Sequence, residues 1–182
     1  SFSDFPLGVW PGDGYDPGMT EENDANQEHE NYMRQAMEAA CQNLQRPFGA
    51  LLLDHREGEV LATAVNRSYR NPVAHGELEV IHRAAAKTHG DVRWGDCTLY
   101  TTAEPCSMCI SGILWAGIPR VVYGTSVATL HELGYRQIRL RATEVVERAA
   151  PKLSTELIGG VLEAECDALF AAAIKLERKS KS

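Results

Sequence analysis

The chain has 182 residues, 44% of them hydrophobic and 24% charged, with 25 Asp and Glu against 18 Lys and Arg for a formal net charge of −7. That length suits one domain with a well-buried core and is too large for a disulfide-stapled mini-protein. The acidic balance weighs against a grip on long nucleic acid, which needs cations to neutralise phosphates. It favours a small, weakly charged ligand, and no run approaches the roughly 18 apolar residues of a membrane span.

Residues 1–24 read as an N-terminal arm, and 25–182 as a single domain. Pro6, Gly8, Pro11, Gly12, Gly14, Pro17 and Gly18 break regular structure in the arm. The interleaved Phe2, Phe5, Trp10 and Tyr15 suit packing across the body or onto a partner subunit. Tyr32, Ala36, Ala39, Ala40 and Leu44 recur at three- and four-residue spacing, which predicts a helix over 26–43. Pro47-Phe48-Gly49 then turns into an apolar run at 50–53, a buried strand, and a polar turn at 54–59 leads into a returning strand at 60–65.

A polar loop follows at 66–73, then a helix at 76–89 with Leu78, Ile81 and Ala85 on one face. Strands are predicted at 98–102 and 120–123, separated by a helix at 106–115. Beyond Gly124 the pattern predicts a short helix at 127–133, a short strand at 138–140, a short helix or turn at 143–148 and a long final helix at 161–178. Helices alternating with strands predict an α/β fold, a mixed sheet covered by helices on both faces.

Of the five cysteines, only Cys106 and Cys109 form a close pair. An odd count with one such pair points to a reducing, cytoplasmic setting and a metal site. Cys41, Cys97 and Cys166 read as buried small apolar residues. The chain opens on Ser1 rather than Met, which reads as a trimmed start and leaves an exported form open.

His75 and Glu77 form a His-x-Glu, and Pro105, Cys106 and Cys109 a Pro-Cys-x-x-Cys 31 residues later, room for one helix and one strand. Residues three apart share a helix face, so Cys106 and Cys109 can hold one ion. A helix start favours thiolate, the ligating form, and Pro105 suits that start because its missing N–H costs nothing there. With His75 as third ligand, one zinc ion keeps a fourth position for water, the pattern of a catalytic site, whereas a structural site would take a fourth protein ligand. Glu77 lies close enough to move the proton of a water activated there, while the water attacks an amino-bearing carbon.

These motifs resemble the signature of zinc nucleobase deaminases. Pro47-Phe48-Gly49-Ala50, Asn66, Ala74-His75-Gly76-Glu77 and the run from Leu99 to Cys106 stand in that family's order, so the resemblance covers about 28–125. It implies a cytidine-deaminase-like three-layer α/β/α sandwich with a mixed central sheet. It also implies a homodimer, one zinc per subunit and a small amino-heterocycle substrate, a free nucleobase or nucleoside. From the acidic balance and the lack of a long apolar run, nucleic acid and membrane are not expected. By the same resemblance Asn66 hydrogen-bonds the base, and Phe48 and Trp115 wall the pocket. The backbone of Ala74 and Cys106 and the Glu104 carbonyl line it, and His131 lies on the segment that closes it.

Ile113-Leu114-Trp115-Ala116 and the loop at 66–75 resemble guanine deaminases, the leading expectation. His75-Gly76-Glu77 and Ala116-Gly117-Ile118-Pro119-Arg120 resemble fungal-type cytosine deaminases. A tRNA adenosine deaminase and a non-catalytic zinc-binding relative also fit the motif block; the acidic balance weighs against the first and the presence of Glu77 against the second. The Arg136, Arg139 and Arg141 run reads as a solvated face.

Overall fold

A computed structural model describes residues 21–180, with side chains from residue 23. The arm expected at 1–24 lies outside the described residues as far as residue 20. Its last four residues instead open helix α1 (Glu21–Ala40), which starts earlier than expected because no helix breaker follows Gly18. A 3₁₀ turn at Cys41–Asn43 ends it.

Strands β1 (Gly49–Asp54) and β3 (Cys97–Ala103) are buried at every position, as strands covered on both faces must be. Around them β2 (Glu59–Val65), β4 (Arg120–Thr125) and β5 (Glu156–Ile158) complete a sheet of order β2-β1-β3-β4-β5. β1 runs antiparallel to β2 and β3, whereas β3, β4 and β5 are mutually parallel, so the sheet is mixed.

Period-2 alternation sorts its side chains between two cores. On one face Leu51, Leu53, Tyr100 and Val122 meet Met33 and Ala36 of α1 and Cys166 of α6 (Glu163–Ser180). On the other, Leu52, Leu99 and Val121 meet Val80 and Ala84 of α2 (Gly76–Lys87) and Ile113 of α3 (Ser107–Ala116). The result is the expected three-layer α/β/α sandwich. Two short helices, α4 (Val127–Leu133) and α5 (Ala142–Glu147), follow β4, and α5 packs Ala142 against Ile110 and Leu114 of α3.

The strand expected at 138–140 does not form. The free edge of β4 is taken by β5, with Arg120 opposite Glu156 and Val121 opposite Leu157, and residues 138–140 turn tightly instead, Leu140 N–H donating to the Ile138 carbonyl. A three-residue Glu-Leu-Ile run carries too little periodicity to announce β5. Cys97 and Cys166 are buried as expected, but Cys41 is exposed at the end of α1. No helix among the described residues is long and apolar enough to cross a membrane.

Candidate active site

Helices α2 and α3 lie on the same face of the sheet, and each begins at a residue of metal-ligand type. His75 caps α2 (φ −82°, ψ 154°) and Cys106 caps α3 (φ −64°, ψ 167°), and neither side chain makes a capping hydrogen bond. The usual caps are Ser, Thr, Asp and Asn, whose oxygens turn back onto the first N–H groups. Here the side chains turn toward each other. His75 Nδ1 lies 3.6 Å from the Sγ atoms of both Cys106 and Cys109, which are themselves 3.6 Å apart. Cys109 is the third residue of α3, and a cap and its third residue face one another in the same way in a capping box. Pro105 stands one place before the cap rather than in the first turn.

Those spacings match a zinc site. Tetrahedral zinc with Zn–S near 2.3 Å and Zn–N near 2.0 Å separates its donors by about 3.5–3.8 Å. His75, Cys106 and Cys109 could hold a metal ion, their donor atoms all lying within 4.8 Å of one another. Three protein donors is the count of catalytic zinc sites. The electrostatics prepare the thiolate: the hydrogen bond with Cys109, reinforced by His75, pushes the Cys106 thiol down to about 4. The Cys106 interaction in turn raises His75.

Glu77, the second residue of α2, is 4% exposed. Burial, helped by the Cys106 charge and opposed by His75, pushes its carboxyl up to about 7. It is poised to hold or release a proton near neutrality, against the metal-donor cluster. Gly76 makes this approach possible: a Cβ there would meet the Phe48 carbonyl oxygen at 2.6 Å. The absent side chain lets the first turn of α2 sit against the chain entering β1.

Phe48, Asn66 and His75 line one pocket of about 80 Å³ together with Ser68, Tyr135 and Gln137. Asn66 is 4% exposed, and its Oδ1 accepts from the N–H (3.0 Å) and hydroxyl (2.8 Å) of Ser68, so it shapes a local turn as well as the pocket wall. Phe48 packs with Tyr135 and Phe170, ring centroids 5.6 and 4.8 Å away.

The other expected pocket residues sit elsewhere or act differently. Both backbone groups of Ala74 close its own loop, the carbonyl accepting from Arg67 N–H and the N–H donating to Asn71. Glu104, 1% exposed, accepts the N–H groups of Val127 and Ala142 at 2.9 Å each and meets Arg141 at 3.4 Å, so its carboxylate ties down the starts of α4 and α5. Trp115 is 77% exposed near the end of α3, outside the pocket and outside the core, because nine residues of helix carry it away from Cys106. His131 lines a separate cavity of about 430 Å³ with Arg139 and Arg141.

Ser68, Tyr135, Arg136 and Gln137 are pocket residues that the sequence did not single out. Ser68 had a signal, its place two residues after Asn66 in turn range. The other three had none; Arg136 is exposed, as its solvated-face reading expects, and also reaches the pocket.

The model of the cytidine and deoxycytidylate deaminase zinc-binding region matches residues 26–125. Guanine deaminase of Bacillus subtilis is 34% identical over 113 residues, 59% of this chain and 70% of its own length. The tRNA-specific adenosine deaminase of the same organism is 31% identical over 155 residues, 82% of this chain and 91% of its own. Among solved structures, guanine deaminase from Nitrosomonas europaea superposes with a TM-score of 0.70 at 21% identity, over 92% of this chain and all of that one, a likeness of fold.

Proposed function

The chain belongs to the cytidine and deoxycytidylate deaminase zinc-binding family, and from that premise we propose that it hydrolytically deaminates a free nucleobase, guanine foremost. As a member of that family it is a deaminase, a hydrolase of C–N bonds. The observation that carries the substrate-level reading is that His75 belongs both to the three-donor cluster and to a pocket lined by the Asn66 amide and the Phe48 ring, with Glu77 buried two residues further on. Guanine leads on the resemblance of Ile113-Leu114-Trp115-Ala116 and the loop at 66–75 to guanine deaminases, together with the 34% identity to the Bacillus subtilis enzyme. A probable cytosine deaminase of Schizosaccharomyces pombe, 36% identical over 106 residues, makes cytosine the next substrate to test.

His75, Cys106 and Cys109 would hold the zinc. A bound zinc supplies Lewis acidity, lowering the pKa of a water to roughly 7. Glu77 takes one proton from the attacking water and delivers it to the ring nitrogen. It then carries a second, from the hydroxyl now on the attacked carbon, to the amine, which leaves as ammonia while the C–N bond breaks and the carbonyl forms. A carboxyl that titrates near neutrality suits both transfers. Phe48 and Asn66 orient the base by ring contact and by the Asn66 amide N–H. The test is ammonia release by zinc-loaded protein from guanine, cytosine, adenine, isocytosine, pterins and their nucleosides, beside a Glu77→Gln control. Release from guanine, abolished in the control, supports the reading; release from cytosine alone reassigns the substrate, and release from none rejects it.

A second reading, deamination of an adenosine within tRNA, has two observations of its own. The tRNA-specific relative aligns over 82% of this chain, and a groove of about 660 Å³ carrying Arg46 and Arg67 shares Arg46, Asn66 and Ser68 with the pocket. Tight, salt-sensitive retardation of tRNA in a gel would favour it over the free base. We further propose a homodimer: Trp115 is a large apolar side chain left in solvent by a single chain.

A further inference from the structure

The polar groups that line the 80 Å³ pocket differ in what they already hold. Tyr135 OH donates to the Phe170 carbonyl at 3.2 Å. Asn66 Oδ1 accepts twice from Ser68. Gln137 alone among these three leaves an acceptor unspent: its Oε1 is buried and has no hydrogen-bond partner among the described residues. A buried amide oxygen left in this way is costly, and native folds rarely tolerate it without a use.

The backbone around Gln137 is held at both ends. Two residues before it, Tyr135 is locked edge-on against Phe48 and Phe170, centroids 5.6 and 5.5 Å apart. Four and five residues after it, Arg141 and Ala142 are tied to the buried Glu104. Gln137 lines the pocket on a segment pinned on both sides, so the turn of its terminal amide that frees the shielded Oε1 toward a ligand costs little backbone freedom, which is the condition for reading one.

We propose that Gln137 is the specificity-determining residue of this pocket and selects bases that carry a carbonyl beside a ring N–H. A primary amide offers two N–H donors and one acceptor side by side. It matches a lactam edge in two bonds, its NH₂ donating to the base carbonyl and its Oε1 accepting the ring N–H. The 6-oxo and N1–H groups of guanine form such an edge. 2-Aminopurine keeps the amine that would leave but lacks both groups, so it cannot make this pair. The proposal rests on the deaminase reading above and names the substrate class that the same site takes.

The experiment compares guanine with 2-aminopurine on zinc-loaded full-length protein. In the wild type, kcat/KM for ammonia release favours guanine by about 10- to 100-fold, the worth of a paired buried amide. Gln137→Leu and the near-isosteric Gln137→Met bring that ratio to within threefold of unity, while zinc per chain and the melting temperature stay at wild-type values. A purely structural role would lower both activities together and leave the ratio intact. A ratio unchanged in both variants overturns the proposal. Binding to the wild type provides a reading without variants or turnover: 2-aminopurine fluorescence titration with guanine as competitor gives the affinity ratio directly. If the wild type releases ammonia from no base, the deaminase reading falls and this ratio alone decides Gln137. Guanine bound at least tenfold tighter upholds it; equal affinity, or no binding of either base, overturns it.

Discussion

Two regions meet at the pocket, and they are built differently. The metal-donor side is simply built: His75 and Cys106 cap α2 and α3, Cys109 lies one turn further on, and once the sheet sets the two helix starts side by side their donor atoms meet at one point. The opposite wall, Tyr135 to Gln137, belongs to an irregular segment between α4 and α5 that no local rule shapes. It is held from outside, by Phe48 and Phe170 at one end and by Glu104 at the other. The metal donors sit on one side, and the wall opposite them is positioned by remote contacts, so the second can change while the first is kept.

Five substitutions bear on this contrast, in order of expected effect. Cys109→Ala removes one of three donors, and zinc per chain measured by metal analysis should fall toward zero with all turnover lost; chelation of the wild type should do the same. Glu77→Gln should keep the metal and lower kcat by about 10²–10⁴-fold, the usual worth of a positioned proton carrier; an unchanged kcat would remove Glu77 from the reaction. Glu104→Gln replaces a carboxylate that accepts two backbone N–H groups in a dry environment. It should cost about 2 kcal/mol, seen as a melting temperature lower by roughly 4–8 °C, with new proteolytic cuts confined to 126–142. Cuts spread over the whole chain would mean that this segment is not a separately held unit.

Gly76→Ala forces a Cβ against the Phe48 carbonyl and should cost about 1–3 kcal/mol in urea unfolding. Unlike Glu104→Gln, it should weaken zinc binding as well, because the start of α2 has to shift. Trp115→Ser should change monomer stability by no more than about 0.5 kcal/mol, since the ring is in solvent. In sedimentation velocity it should shift the protein toward monomer, and an unaltered profile would remove this face from any dimer contact.

The metal-donor triad was legible in the sequence because a fixed spacing and two helix starts announce it. Glu77 was read from its place two residues after His75, and Asn66 only through the family resemblance, and the structure sets Asn66 in the pocket wall. The strands buried on both faces were legible as apolar runs. Glu104 was expected, by the resemblance, to offer its backbone carbonyl to the site; what no sequence signal announced is that its carboxylate anchors α4 and α5. Trp115 was expected at the pocket wall by the family resemblance, yet nine residues of helix turn and translate it away from Cys106 and leave it exposed. β5 was missed because three residues carry no period and a strand at an edge is chosen by its neighbour.

By itself, then, the sequence determined the layers of the fold and the chemistry of the metal-donor face, since hydrophobic period and helix capping act over a few residues at a time. Only the tertiary structure decided which side chains complete the pocket. Tyr135 and Gln137 reach it from about sixty residues beyond His75, through an aromatic cluster and a buried carboxylate whose partners are distant in the chain. Contacts of that kind arise from packing, and they leave no spacing or period to read.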